Sequence, residues 1–133
     1  MKYYSLNNNS KNVGFIEAIV RGLAPDRGLY FPGEIPELSN YFIKNIKRYS
    51  DLEIAFRVIK PFLGNEIPND VLKDILKKTL KFNFPIVNIS KNIACVELFH
   101  GPTLAFKDVG ARFMANCLSY ANLKKKENKK ITV

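Results

Sequence analysis

Ile86-Val87-Asn88-Ile89 and Ile93-Ala94-Cys95-Val96-Glu97-Leu98 are two short runs rich in β-branched residues, and each reads as a strand. A loop from Phe99 to Phe106 follows. After it the apolar period changes. Gly110, Phe113, Met114, Cys117, Leu118 and Ala121 fall at i, i+3, i+4, i+7, i+8 and i+11, which places them on one helical face. Ile131-Thr132-Val133 opens another apolar run. Strand, loop, helix and strand in that order describe a βαβ unit, which implies a parallel sheet and an α/β fold. A parallel sheet with one crossover has little core and open edges. The expectation is therefore an amino-terminal piece of a longer enzyme, cut within its last strand.

Upstream, to about residue 84, the chain reads as mainly helical after a short opening strand. Asn12 is placed to cap a first helix with Ile16, Ile19, Val20 and Leu23 on one stripe and Gly22 as its stop. Pro25 to Gly33 is turn-rich and reads as a loop. A second helix is predicted over Ser39 to Tyr49. Ser50 and Glu53 have the spacing of a capping box and open a third, with Leu52, Ala55, Phe56 and Ile59 inward. Pro61 should kink or end it, and Gly64 lies just beyond. Pro68-Asn69 opens a fourth, which buries Val71, Leu72, Ile75, Leu76 and Thr79. These stripes read as core. The organisation is thus a helical module, 1–84, followed by an α/β portion, 85–133.

Composition narrows the class. The 133 residues are 47% hydrophobic and 25% charged, an ordinary globular balance that argues against a disordered tail or a Cys-rich scaffold. No apolar run approaches the length of a membrane span, and the start carries no secretion signal. Cys95 and Cys117 lie far apart, which suits a reduced, cytoplasmic setting. Two cysteines and one histidine do not make a plausible metal site. The net charge is +9, yet only five of the 21 basic residues are Arg and most are scattered. The cluster Lys124-Lys125-Lys126 with Lys129-Lys130 falls where a helix should end, where cations favour the helix dipole. A nucleic-acid-binding module is the competing reading. It lacks the aromatic and basic alternation that such surfaces use.

The chemistry-bearing segment is Glu97-Leu98-Phe99-His100-Gly101-Pro102-Thr103-Leu104-Ala105-Phe106-Lys107-Asp108. A strand ends in a Gly-Pro loop that delivers Lys107 to the first turn of a helix. A positive charge sits poorly there. If partly buried, such an amine becomes a better nucleophile and base, as a Schiff-base lysine requires. Asp108 can orient or counter the ammonium. Thr103 and His100 can hydrogen-bond within the loop, and Phe106 can wall the site or simply pack. The plain alternative is a solvated lysine followed by a helix N-terminal carboxylate. Arg112, one turn beyond Asp108, can face an anion or serve as a surface ion-pair residue.

The run from Glu97 to Asp108, continued by Val109-Gly110-Ala111-Arg112-Phe113-Met114-Ala115, resembles the cofactor-lysine region of the threonine synthase family, pyridoxal-phosphate enzymes of fold type II. Lys2-Tyr3-Tyr4-Ser5-Leu6-Asn7, Phe15 through Gly22-Leu23-Ala24 to Gly28-Leu29-Tyr30-Phe31-Pro32, and Phe62-Leu63-Gly64-Asn65-Glu66-Ile67-Pro68 are similar to the family's amino-terminal region. The resemblance implies that Lys107 holds pyridoxal 5'-phosphate as a Schiff base and shuttles protons. It places His100, Thr103, Phe106 and Asp108 as neighbours of the cofactor. It implies conversion of O-phospho-L-homoserine and water to L-threonine and phosphate. It also implies that the Gly/Ser/Thr-rich loop expected to hold the cofactor phosphate follows the last strand, so the 133 residues alone should lack turnover. A related protein without catalysis, serving as an interaction domain, is a further alternative. Oligomeric state is not read from these residues.

Overall fold

The computed structural model describes residues 1–124, in which helices and two small antiparallel sheets form a mixed α/β arrangement. Strand β1 (Tyr3–Ser5) pairs with β2 (Tyr30–Pro32), Tyr3 facing Pro32 and Ser5 facing Tyr30. Between them lies α1 (Phe15–Arg21). The loop expected from Pro25 to Gly33 therefore ends in a strand. Its apolar centre, Tyr30-Phe31, is drawn into backbone pairing with the amino terminus. Helix α1 is not capped by Asn12. Its N-cap is Gly14, whose missing side chain leaves room for the Glu66 carboxylate, which accepts from Phe15 N at 2.6 Å and Ile16 N at 3.1 Å. Of the predicted stripe, Ile16 and Ile19 pack on the core, whereas Val20 and Leu23 are exposed.

The predicted second helix divides into α2 (Asn40–Lys44), capped by the Ser39 hydroxyl, and a 3-10 turn over Ile46–Arg48. Helix α3 (Asp51–Leu63) opens on the reciprocal Ser50–Glu53 capping box. It runs through Pro61, which sits in the last turn and forfeits one i→i−4 bond without ending the helix before Gly64. Helix α4 (Asn69–Thr79) buries Leu72, Ile75, Leu76 and Thr79 as its period requires.

Strands β3 (Ile86–Ser90) and β4 (Ile93–Val96) form a hairpin with a register shift between Asn88 and Ser90. Both strands are exposed along their length. Their pairing is antiparallel, and the run 131–133 expected to complete a parallel unit lies outside the described residues. Helix α5 (Asp108–Lys124) packs against α1 and α4 through Cys117, Leu118 and Ala121, while Gly110 and Met114 of its predicted face stay exposed. The main core joins Leu63, Ile67, Leu72, Ile75, Leu76 and Cys117, with Phe56, Ile59, Phe113 and others packed around it. Removing each such aliphatic side chain from water contributes about 1.5–3 kcal/mol. This core fixes α5 and thereby the place where the preceding loop must end. No described helix is long and apolar enough to cross a membrane.

Candidate active site

The loop from β4 to α5 is held at both ends by side chains. At its start Glu97 N donates to the Pro85 carbonyl at 2.9 Å, and the Glu97 carboxylate lies 2.7 Å from His100 Nε2. The Phe99 and His100 rings approach to 4.9 Å between centroids. At its end, the two oxygens of Asp108 accept from Thr103: backbone N to Oδ2 at 2.9 Å, and the hydroxyl to Oδ1 at 2.5 Å. Gly101 is buried against the same carboxylate, and a Cβ there would collide with it, so the close approach requires glycine. Leu104 N closes a turn onto the Gly101 carbonyl with Leu104 in the left-handed region at φ 59°.

Asp108 is buried although it is the first residue of α5. The Thr103 hydroxyl and then the Thr103 N–H hold its carboxyl below the usual carboxylate range, with burial opposing and the Arg112 charge assisting. Its place in the first turn is also favoured by the helix dipole. The expected pairing of Asp108 with the Lys107 ammonium is not formed, because both carboxylate oxygens are turned to Thr103. Lys107 lies one residue before α5, and its carbonyl takes the bond from Ala111 N at 2.9 Å. Its side chain is exposed rather than partly buried. Its amine lies 5.8 Å from the centroid of the Phe106 ring, itself 65% exposed. Phe106 therefore lies beside the amine rather than packing into the core.

The structure thus groups the predicted residues in three. Thr103 and Asp108 form one unit, Lys107 and Phe106 another, and His100 stands apart with Glu97. Arg112 makes no ion pair among the described residues. Its Nη2 and Nε donate to the Lys78 carbonyl at 2.8 and 3.3 Å, which fastens α5 to the end of α4 and satisfies a terminal carbonyl there. The sequence reading missed Glu97 as the partner of His100 and Gly101 as the wall of the Asp108 site. Glu97 stands three residues before His100, whereas Gly101 meets Asp108 only because the turn at Leu104 brings the two together. Among the described residues no group of three or more His, Cys, Asp or Glu could hold a metal ion.

This arrangement presents a primary amine and an aromatic face to solvent at the amino end of a helix anchored in the core. Residues 2–80 match the family model described as "Threonine synthase N terminus". The threonine synthase of Escherichia coli (strain K12) is 38% identical over 120 residues, covering 90% of this chain and 28% of that protein. That of Buchnera aphidicola subsp. Baizongia pistaciae is 45% identical over 123 residues, covering 92% and 29%. Among solved structures, PLP-bound threonine synthase from Brucella melitensis superposes with a TM-score of 0.90 at 36% identity, over 96% of this chain and 28% of that one. The Escherichia coli threonine synthase structure gives 0.85 at 37%, over 91% and 28%. The chain therefore spans less than a third of the length of these relatives.

Proposed function

The chain belongs to the threonine synthase family, and from that premise we propose that it supplies the cofactor lysine of an enzyme making L-threonine. The reaction is that of a carbon–oxygen lyase acting on phosphate. O-phospho-L-homoserine loses its γ-phosphate and takes up water at the β carbon, giving L-threonine and inorganic phosphate. The observation that carries the reading is Lys107. Its amine is exposed beside Phe106, while the neighbouring Asp108 carboxylate is engaged by Thr103.

The residues present fit pyridoxal 5'-phosphate at its aldehyde end. An accessible primary amine that no described carboxylate pairs is the group an aldehyde condenses with. Bound there, the cofactor supplies an electron sink for carbanions. Lys107 holds it covalently and, when released, moves protons at the substrate's carbon atoms through Nζ. Phe106 offers an apolar face beside the amine. Thr103 and Asp108 keep the loop in place, and His100, tied to Glu97, borders it.

In this reading residues 1–84 are the amino-terminal module and 85–133 the start of the cofactor-binding lobe. The 133 residues alone turn over no substrate, the setting is cytoplasmic, and the partner is a small anionic substrate rather than nucleic acid or membrane. The test uses the full-length protein with pyridoxal 5'-phosphate. Borohydride reduction and peptide mapping should place the label on Lys107, and Lys107→Ala should abolish threonine formation. A label on another lysine, or undiminished threonine formation by Lys107→Ala, would overturn the assignment. Threonine formation by residues 1–133 alone would overturn the division of labour.

A further inference from the structure

We infer that Asp108 is a positioning residue for Lys107, acting through its two hydrogen bonds to Thr103. The inference rests on the reading of Lys107 as the cofactor lysine. The bonds join residues 103 and 108, and Lys107 lies between them. Leu104, Ala105, Phe106 and Lys107 are all exposed, so no core contact holds this segment. Its local backbone ties are Leu104 N to the Gly101 carbonyl and Asp108 N to the Ala105 carbonyl, both at 3.1 Å.

Leu104 also occupies the left-handed region at φ 59°, which a leucine keeps only when its surroundings over-determine it. The over-determining element is the carboxylate of Asp108. Among the described residues it is the one buried carboxylate. A buried carboxylate is costly unless its acceptors are filled, and Thr103 fills one on each oxygen. The arrangement therefore has a preferred geometry rather than a range of them. On one side the carboxylate is seated on Gly101, and through α5 it is anchored to the core. The turn is thus hung from the rigid helix, and the Lys107 backbone is carried at a set height above the amino end of α5. The carboxylate makes no ion pair with the amine among the described residues, so its effect on Lys107 is one of placement rather than charge neutralisation.

The test uses the full-length protein and reads cofactor attachment separately from turnover. Cofactor-free protein is mixed with pyridoxal 5'-phosphate, and the rate of borohydride-trappable label on Lys107 is followed by peptide mapping beside the visible spectrum. Asp108→Asn and Thr103→Val should each slow labelling at Lys107 by roughly 10- to 100-fold, the range a small misplacement of a reacting group produces. Thr103→Ser, which retains the hydroxyl, should recover most of the rate. The double variant should be no slower than the slower single one, since both act on the same bonds. Thr103 is exposed, so the Val and Ser pair decides the matter even if Asp108→Asn fails to fold. Labelling at the wild-type rate in Thr103→Val would overturn the inference, even with a lowered melting temperature, and would leave Asp108 as a helix cap. Absence of label on Lys107 in the wild type would instead overturn the functional reading and this inference with it.

Discussion

Replacing Glu66 with alanine should unfasten α1 from the turn after α3. The helix has seven residues, and its N-cap, Gly14, has no side chain to accept from the first amides. Glu66 does so from 51 residues away, with one oxygen 2.6 Å from Phe15 N and the other 3.1 Å from Ile16 N. Hydrogen bonds to a charged group contribute about 1.5–3 kcal/mol each, and a carboxylate at a helix amino end adds about 0.3–1 kcal/mol. Glu66 is half-buried, so the low end applies, and the expected loss is about 3 kcal/mol. Glu66→Gln keeps an acceptor oxygen and should lose about half of that. Gly14→Ala is the independent probe, because a Cβ there would lie 2.8 Å from Glu66 Cδ and push the carboxylate off the amides. Urea unfolding followed by circular dichroism measures all three, with hydrogen exchange at Phe15 and Ile16 as the local readout. The double variant should be less destabilised than the sum of the singles by about 1–2 kcal/mol. A Glu66→Ala loss within about 0.5 kcal/mol of zero, the ordinary range for surface substitutions, would refute the reasoning. So would strict additivity with Gly14→Ala.

Leu72, fully buried at the centre of the core, should lose about 2–5 kcal/mol on conversion to Ala and under about 1.5 kcal/mol on conversion to Met, as read by thermal unfolding. Cys95 is exposed, whereas Cys117 is buried and its thiol is pushed up to about 12. Iodoacetamide followed by peptide mapping should mark Cys95 alone in the native protein and both cysteines in denaturant. The Ser5 hydroxyl first, and then the Gly28 and Asn9 amides, hold the Asp26 carboxyl below its ordinary value of 3.8. That stability is present above 3.8 and is lost as the pH falls through the folded value. The stability gap between wild type and Asp26→Asn should therefore narrow on acidification in this window. A gap that widens would show that Asp26 is not held as the ionised acceptor.

Much of the helical architecture was legible because it rests on local chemistry. The Ser50–Glu53 box needs only residues three apart, and the α4 stripe only a 3.6-residue period. The strand at Tyr30–Pro32 was not legible as such, since its pairing partner is Tyr3–Ser5, at the opposite end of a helix and a turn-rich segment. The capping of α1 was misread for a similar reason. Asn12 is the natural local candidate, but Glu66 reaches the same amides through the fold of α3 and α4.

The candidate site divides along the same line. That Lys107 stands where a strand-to-helix loop ends follows from the order of residues, because strand and helix periods are written in the chain. The family resemblance of the Glu97–Asp108 run is likewise a property of residue identity. The direction in which Asp108 points is not. Its nearest ionic neighbour in sequence is Lys107, yet its oxygens meet Thr103 because the turn at Leu104 brings that residue back across the helix end. Arg112 likewise finds the Lys78 carbonyl because α5 is laid against α4. A 3.6-residue period and a capping box such as Ser50–Glu53 depend on neighbours a few residues apart, unlike the distant cap that Glu66 places on α1. The partner of a charged side chain depends on which distant surface the core brings near, and here that was set by the packing of α5 on α1 and α4.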